Sequence, residues 1–403
     1  MALSKWTDKN EIWNYPGLTR SEAEEALALC VSQLLYYLPD FTEAFPGPAS
    51  FDGFYRPGPN KGWTTGFYTG ELWLAYEYAK APEEKQALLN AGNIQVKSFL
   101  DRIRKREDVD HHDMGFLFSP SCVAAYKLTG SKEGREAAVL AADQLLTRFQ
   151  PVGQFLQAWG AMDAPDNYRF IIDCLLNLPL LYWASEETGD EKYKQIAEQH
   201  IHTAMKYVIR EDSSTWHTVF MNPETGCFDH GATCQGYQDG SAWTRGQAWG
   251  IYGCAAAYRY TGREEYIGYF ERVSDYFLKH LPADLCPFWD LTFGDGDEAT
   301  EPRDSSSAVI AVCGMLEMSK YLLSEKADYY RAIAGRLLKA VTDRYQVKDE
   351  RAAGGRILHG TYSKKTPYNT CTEEGVDECV IWGDYYYMEA LTRFLRPDWV
   401  QYW

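Results

Sequence analysis

Residues 126–146 read YKLTGSKEGREAAVLAADQLL, residues 185–205 read SEETGDEKYKQIAEQHIHTAM, and residues 258–278 read YRYTGREEYIGYFERVSDYFL. In each, an apolar run stops at Thr-Gly, charged residues follow, and a second amphipathic run begins. Glycine supplies the left-handed conformation that ends a helix, and the charged turn starts its partner. Looser copies begin at Glu77 (EYAKAPEEKQALLNAGNIQV) and at Lys320 (KYLLSEKADYYRAIAGRLLKAV). One helical hairpin repeated along a chain marks a repeat architecture.

Extended to the whole chain, the pattern predicts about twelve helices in two alternating sets. One set, at approximately 20–37, 84–104, 132–148, 190–209, 263–281 and 326–345, is polar on one face. The other, at approximately 66–79, 114–129, 167–188, 241–261, 304–323 and 383–395, is richer in apolar and small residues, as an interior layer requires. Strand signals are weak. Alternating pairs bury their apolar faces best when the hairpins close into a ring, an all-α (α/α)6 toroid or barrel; an open solenoid is the simpler alternative. No Pro-, Gly- or Ser-rich linker divides the chain, so residues 1–403 read as a single (α/α)6 barrel catalytic domain.

Composition narrows the partners. The formal net charge of −17 disfavours nucleic acid and anionic membrane surfaces. An anionic small molecule would need a local cluster of donors. No segment approaches 18 uninterrupted apolar residues, and the first residues, MALSKWTDKNEIWNYPG, lack the apolar core of a signal peptide. The 10 cysteines form no CxxC and no His-rich cluster at zinc spacing. These features predict a cytoplasmic protein with no metal and no cofactor. Aromatic residues make up 15% of the chain, with 13 Trp and 29 Tyr. They suit large cores, and they equally suit a cleft in which sugar faces stack on rings.

The unusual residues gather where inner helices begin. Trp63 precedes the first, and His111, His112 and Asp113 precede the second. Asn167 and Tyr168 open the third, with Asp173 further in. Ser241, Trp243 and Arg245 open the fourth, Arg303 and Asp304 the fifth, Trp382 and Asp384 the sixth. In a toroid these N-termini share one end, and their helix dipoles together favour an anion there. Asp304 and Asp384 read best as N-caps, and Asp113 reads equally as a cap or as part of a site. Asp173, in NYRFIIDCLLNLPLL, lies among apolar residues beyond any cap, where desolvation raises a carboxyl toward general-acid use. His217 lies in the long connection before the fourth inner helix. The stretch SAWTRGQAWGIYG, 241–253, sets Arg245 and Trp249 on one helical face and Gly246, Gly250 and Gly253 on another. Each interior glycine costs roughly 1 kcal/mol relative to alanine, so close packing or ligand space must offset it.

Four blocks then carry a resemblance: IIDCLLNLPLLYWASEETGD, CQGYQDGSAWTRGQAWGIYG, PRDSSSAVIAVCGMLEM and GVDECVIWGDYYYMEAL. In this order, and across most of the chain, they resemble the unsaturated glucuronyl hydrolases of glycoside hydrolase family 88. The resemblance implies an (α/α)6 barrel that removes a 4,5-unsaturated uronic acid from the non-reducing end of oligosaccharides left by polysaccharide lyases. The implied reaction is hydration of the enol ether. An acid protonates C4, water adds at C5, and the hemiketal rearranges and expels the remaining sugar. Asp173 is thereby implied as the acid and then the base, and Asp113 as the support for ring hydroxyls and developing charge. His217, Gln235 and Arg245 are implied to receive the uronate ring and its carboxylate, with Trp243 and Trp249 walling that subsite. His112, Trp159, Trp63 and Tyr362 are implied as ring or aglycone contacts. Arg245 also suits a carboxylate through its forked donors.

One segment departs from the family pattern. Sulfate-accepting members carry a short Ser- and Lys-containing stretch before the GVDE block. Here YSKKTPYNTCTEEGVDE is longer and adds Glu373 and Glu374 beside Lys364 and Lys365. The extra carboxylates predict a preference for unsulfated or weakly sulfated disaccharides. Two alternatives stand beside this reading: an unsaturated rhamnogalacturonyl hydrolase, and a non-catalytic sugar-binding toroid.

Overall fold

The computed structural model describes residues 11–403; most of the N-terminal run inspected for a signal core lies outside them. The outer helices are α1 (Arg20–Phe41), α3 (Pro82–Lys105), α6 (Lys132–Leu146), α8 (Glu191–Val208), α10 (Glu265–Lys279) and α12 (Ser324–Arg344). The inner path runs through α2 (Thr65–Tyr78), α4 (Met114–Phe118) with α5 (Ala124–Thr129), α7 (Leu178–Thr188), α9 (Thr244–Thr261), α11 (Ser305–Met318) and α13 (Ile381–Leu395). Nearly every residue of α9, α11 and α13 is buried, whereas the outer helices bury one face. α13 packs on α11 and also on α1 and α2, so the ring closes. The fold is an (α/α)6 toroid, and the solenoid is excluded.

The three Thr-Gly signals work as read. Gly130, Gly189 and Gly262 stop α5, α7 and α9 with φ of 71°, 74° and 64°. The next helix starts on a side-chain cap in two cases: Ser131 accepts the Gly134 N–H, and Asp190 accepts the Lys192 N–H. α1 opens with a full capping box between Thr19 and Glu22. The second inner helix is interrupted by a π turn at Ser119–Val123, at Pro120, which cannot donate to an α-helical ladder.

Several boundaries differ from the sequence reading. The third inner helix does not begin at 167. Residues 169–171 form a strand, residues 172–176 a 3-10 turn, and α7 starts at Leu178 with Pro179 in its first turn. A short apolar run fits strand and helix equally, and the pairing of Arg169 with Phe220 and of Ile171 with Thr218 decides it. The fourth inner helix starts at Thr244 rather than 241, and the fifth ends at Met318 rather than 323. Strands, weak in the sequence, are present as short hairpins in the connections: β1 (Phe45–Pro46) with β2 (Pro57–Gly58), β3 (Phe149–Gln150) with β4 (Phe155–Leu156), and a sheet of β5 (Arg169–Ile171), β6 (Thr218–Met221) and β7 (Phe228–Ala232).

Close packing offsets the glycines of the fourth inner helix. A Cβ at Gly253 would sit 2.6 Å from the Leu175 Cβ, and one at Gly246 would sit 2.8 Å from the Trp243 ring. No helix is long and apolar enough to cross a membrane, among the described residues.

Candidate active site

The segments that open the inner helices converge on one cavity of about 270 Å³. Trp63 stands before α2; His112 and Asp113 stand before α4. Trp159 comes from the loop after β4, Asp173 from the 3-10 turn after β5, His217 from the position before β6, Gln235 from the loop after β7, and Tyr362 from the loop before α13. All eight were expected from the sequence analysis, Trp159, Gln235 and Tyr362 through the family resemblance alone. Gly62, Asp108, His111, Ile171 and Cys234 complete the lining. His111 was already noted before the second inner helix; Asp108 shares the run EDVDHHD with Asp113, and Cys234 adjoins Gln235, so chain proximity was the available signal for those two.

The two aspartates are brought together by backbone contact. A Cβ at Gly115 would collide with the Asn177 backbone, so only glycine lets the two chains meet there. Asn177 then ties both segments: its Oδ1 accepts the Phe116 N–H at 2.8 Å, and its Nδ2 donates to the Asp173 carbonyl at 3.2 Å. Asp173 therefore sits in the first turn after a strand, not deep in a helix as the apolar run suggested.

Their environments push the two carboxyls apart. Burial, then the nearby Asp113 charge, raises Asp173 to about 7. Its Oδ1 is buried without a hydrogen-bond partner. Arg245 opposes the shift, as does the Trp249 indole, whose N–H meets no acceptor within hydrogen-bond geometry. Burial also acts to raise Asp113, but the adjoining His112 and His111 rings outweigh it and hold Asp113 below the usual carboxylate range. His112 Nε2 lies 3.3 Å from one Asp113 oxygen and His111 Nδ1 lies 3.2 Å from the other. Asp113 occupies the position before α4 but makes no side-chain cap.

His217 is held neutral: burial first, then Arg245, pushes its pKa down to about 3. Its Nδ1 accepts the Cys234 N–H at 3.1 Å and lies 2.8 Å from the Thr218 hydroxyl. The ring proton therefore sits on Nε2, the polar atom left to a ligand. The Trp63 indole donates to the Tyr362 hydroxyl at 2.9 Å and stacks on Trp382 at 5.1 Å, which fixes the opposite wall. Trp159, 39% exposed, meets His112 edge-on at the cavity mouth.

Three residues expected at the uronate subsite, Arg245 as a carboxylate donor and Trp243 and Trp249 as walls, do not line the cavity. Arg245 and Trp249 have no exposed surface, and Trp243 has 3%. The Arg245 guanidinium lies between the Trp243 and Trp382 rings at 4.4 and 4.8 Å. Its Nη1 donates to Asp304 at 3.1 Å and to the Thr361 carbonyl at 2.7 Å, and its Nη2 donates to the Tyr362 carbonyl at 2.8 Å. A longer contact of 3.4 Å reaches Gln235 Oε1. The fork that suits a ligand carboxylate is thus spent on Asp304 and two backbone carbonyls.

The two expected caps are corrected likewise. Asp304 caps nothing: it receives Arg245 on one oxygen and the Ser306 hydroxyl, at 2.5 Å, on the other. Asp384 accepts the Arg356 and Ile357 N–H groups at 2.7 and 3.1 Å and the Tyr55 hydroxyl at 2.8 Å, which anchors the loop leading to Tyr362.

In the departing segment, Glu374 pairs through its backbone with Ser363, and the Gly375 carbonyl accepts the Tyr362 N–H at 2.8 Å. Both lysines are engaged: Lys364 with Glu301 at 2.8 Å, and Lys365 with the Asn369 carbonyl at 2.9 Å.

Residues 48–392 match the profile of Glycosyl Hydrolase Family 88. The chain is 46% identical to an unsaturated chondroitin disaccharide hydrolase of Streptococcus pneumoniae, over 100% of this chain and 99% of the relative. Its fold superimposes on the crystal structure of an unsaturated glucuronyl hydrolase of Streptococcus agalactiae with a TM-score of 0.92 at 43% identity, covering 100% and 99% of the two chains. It also matches an Asp-to-Asn variant of that enzyme complexed with dGlcA-GalNAc6S, with a TM-score of 0.84, 41% identity and the same coverage.

Proposed function

The chain belongs to Glycosyl Hydrolase Family 88, and from that premise we propose that it removes a 4,5-unsaturated uronic acid from glycosaminoglycan-type disaccharides by hydrating the enol ether. The observation that carries the reading is the pair of carboxyls in one cavity with opposite tendencies. Asp173 is raised to about 7 and Asp113 is lowered. Near neutrality one is available as an acid and the other as an anion, the division of labour that acid-catalysed hydration needs.

Asp173 gives its proton to C4, and positive charge develops at C5 and the ring oxygen. The Asp113 carboxylate stabilises that charge and holds ring hydroxyls. Asp173, now ionised, takes a proton from the water that adds at C5, which restores the acid. The C5 hemiketal opens to a ketone and expels the remaining sugar from C1. No bond to the enzyme forms, so the carboxylate separations of ordinary glycosidases do not apply.

His217 donates from Nε2 to the uronate carboxylate, with Gln235 beside it. Trp159, Trp63, Tyr362 and His112 take the sugar faces and edges. Arg245 acts from behind by holding Gln235 and the Tyr362 backbone, and Trp243 and Trp249 support it and Asp173. The exposed carboxylates of the 362–378 segment, with both lysines tied elsewhere, favour an unsulfated or weakly sulfated second sugar. Residues 1–403 act as one catalytic unit. Ten unpaired thiols suit a reducing compartment, and we place the enzyme in the cytoplasm.

The test is to mix the protein with unsaturated glucuronyl and rhamnogalacturonyl disaccharides and follow loss of the enol absorbance. Turnover of the glucuronyl substrate, abolished in a folded Asp173→Asn variant, is expected. Faster turnover of the rhamnogalacturonyl substrate moves the assignment to that activity, and no turnover of any substrate leaves a sugar-binding toroid.

A further inference from the structure

The barrel lumen beneath Asp173 is filled from the far end by residues 401–403, all buried. α13 ends at Leu395, after which the chain turns back and Trp403 comes to rest fully buried. From Leu395 back to Tyr386, α13 covers about 14 Å at 1.5 Å per residue, and residues 396–403 retrace that distance. The Trp403 indole stacks on Tyr386, with 5.8 Å between centroids and 12° between planes, and meets Phe116 edge-on at 6.2 Å. Those two rings flank Trp249, at 5.5 and 5.2 Å. Trp249 lies on α9, and the turn that carries Asp173 packs along that helix, with Ile172 against Gly246 and Gly250 and Leu175 against Gly253. A continuous run of rings thus joins Trp403 to Trp249, on the helix packed against the turn that carries the acid.

The tail is fixed by polar groups as well as by volume. Glu389 accepts the Trp403 indole N–H at 2.8 Å, and the Tyr260 hydroxyl donates to the Trp403 carbonyl at 2.8 Å. Lys127 donates to the carbonyls of Gln401 and Tyr402 at 2.9 and 3.2 Å, and Arg393 donates to the Gln401 side chain. Filling a lumen needs only apolar side chains. Two cations, Lys127 and the buried Arg393, grip Gln401 and Tyr402 while Tyr260 and Glu389 grip Trp403, and this fixes where the indole sits, because each bond is lost if the segment slides.

We infer that Trp403 is a positioning residue for the reaction: it holds Tyr386 and Phe116, and through them Trp249, in place beneath Asp173, and it bars water from the closed side of the barrel. The inference rests on the proposed role of Asp173. Burial is the largest cause of that residue's raised pKa, so water let in from below stabilises the carboxylate and lowers it.

The experiment uses the full chain with Trp403→Leu and Trp403→Phe, reading kcat, KM and their pH profiles together with Tm. Trp403→Leu is expected to keep KM within about twofold, to lower kcat about tenfold, and to move the alkaline limb of kcat down by about one pH unit. Trp403→Phe, which keeps a ring, is expected to recover most of kcat and to show a smaller shift. A folded Trp403→Leu with the wild-type limb and kcat overturns the inference, however far Tm falls. If Trp403→Leu does not fold, Trp403→Phe decides, and an unshifted limb overturns the inference there too. Failure of the underlying reading looks different: Asp173→Asn would remain active in an otherwise wild-type chain.

Discussion

The guanidinium of Arg245 lies 3.1 Å from the Asp304 carboxylate, and neither side chain has any exposed surface. The pair spans α9 and the start of α11 and also grips the carbonyls of Thr361 and Tyr362. Removing one partner of a buried pair strands the other charge, at a cost of about 3–5 kcal/mol. Asp304→Ala should therefore lose that much in urea denaturation and lower kcat/KM through the loosened Tyr362 wall. Asp304→Asn, which keeps an acceptor for Arg245, should lose less of both. An Asp304→Ala variant as stable as wild type would show that the pair organises nothing.

The pH dependence of turnover follows from the carboxyl pair. Asp173 must be protonated, so kcat should fall as pH rises through about 7. Asp113 must be ionised and is held below the usual range, so the acid limb should lie below the pKa of an ordinary aspartate. A profile flat from pH 5 to about 9 would remove Asp173 as the acid.

Asp173 should also tax stability. Its carboxyl titrates near 3.8 when unfolded and at about 7 when folded, so the native state binds more protons between these values. Stability from this group is then fully present below about 4 and is lost as pH rises to about 7. Asp173→Asn, a neutral isostere, should match wild type at pH 4 and exceed it at pH 8, by roughly 2–4 kcal/mol. Thermal or urea unfolding at the two pH values measures the difference. An equal effect at both would mean that the carboxyl is not raised.

The sulfation preference is read by comparing kcat/KM for unsulfated and 6-sulfated unsaturated chondroitin disaccharides. The unsulfated substrate should be the faster. Glu374→Gln should narrow the gap, since that residue adjoins the Ser363 backbone beside the cavity wall. Faster turnover of the sulfated substrate defeats the idea.

How far the sequence could be read depended on the type of signal. Glycine stops such as Gly189 and amphipathic periods such as that of α10 are local, and they gave the hairpins nearly residue by residue. The run RFIID is equally good strand and helix alone, and only pairing with β6, from a distant segment, decides it. Trp63, His112, Asp113 and Asp173 were legible because such residues are conspicuous near the starts of inner helices, whereas Trp159, Gln235 and Tyr362 lie in long connections and were named only through the family resemblance. Whether such a residue faces the cavity or lies one layer behind is a matter of depth. Arg245 is the clearest case. Its charge suggested a ligand, and its partner Asp304, 59 positions on, resembled a cap.

The closed ring also sets the order in which the molecule can be made. Arg20, opening the first helix, donates to the Leu395 carbonyl across 375 positions of sequence. α2 leaves the ribosome with most of its faces apolar, and its neighbour α13 follows about 300 residues later. Synthesis at about 5–20 residues per second leaves that surface uncovered for some tens of seconds. A solenoid of the same hairpins would cover each as the next arrived. The toroid cannot close its seam until α13 has emerged, so the face of α2 that meets it waits through the synthesis of every hairpin between them.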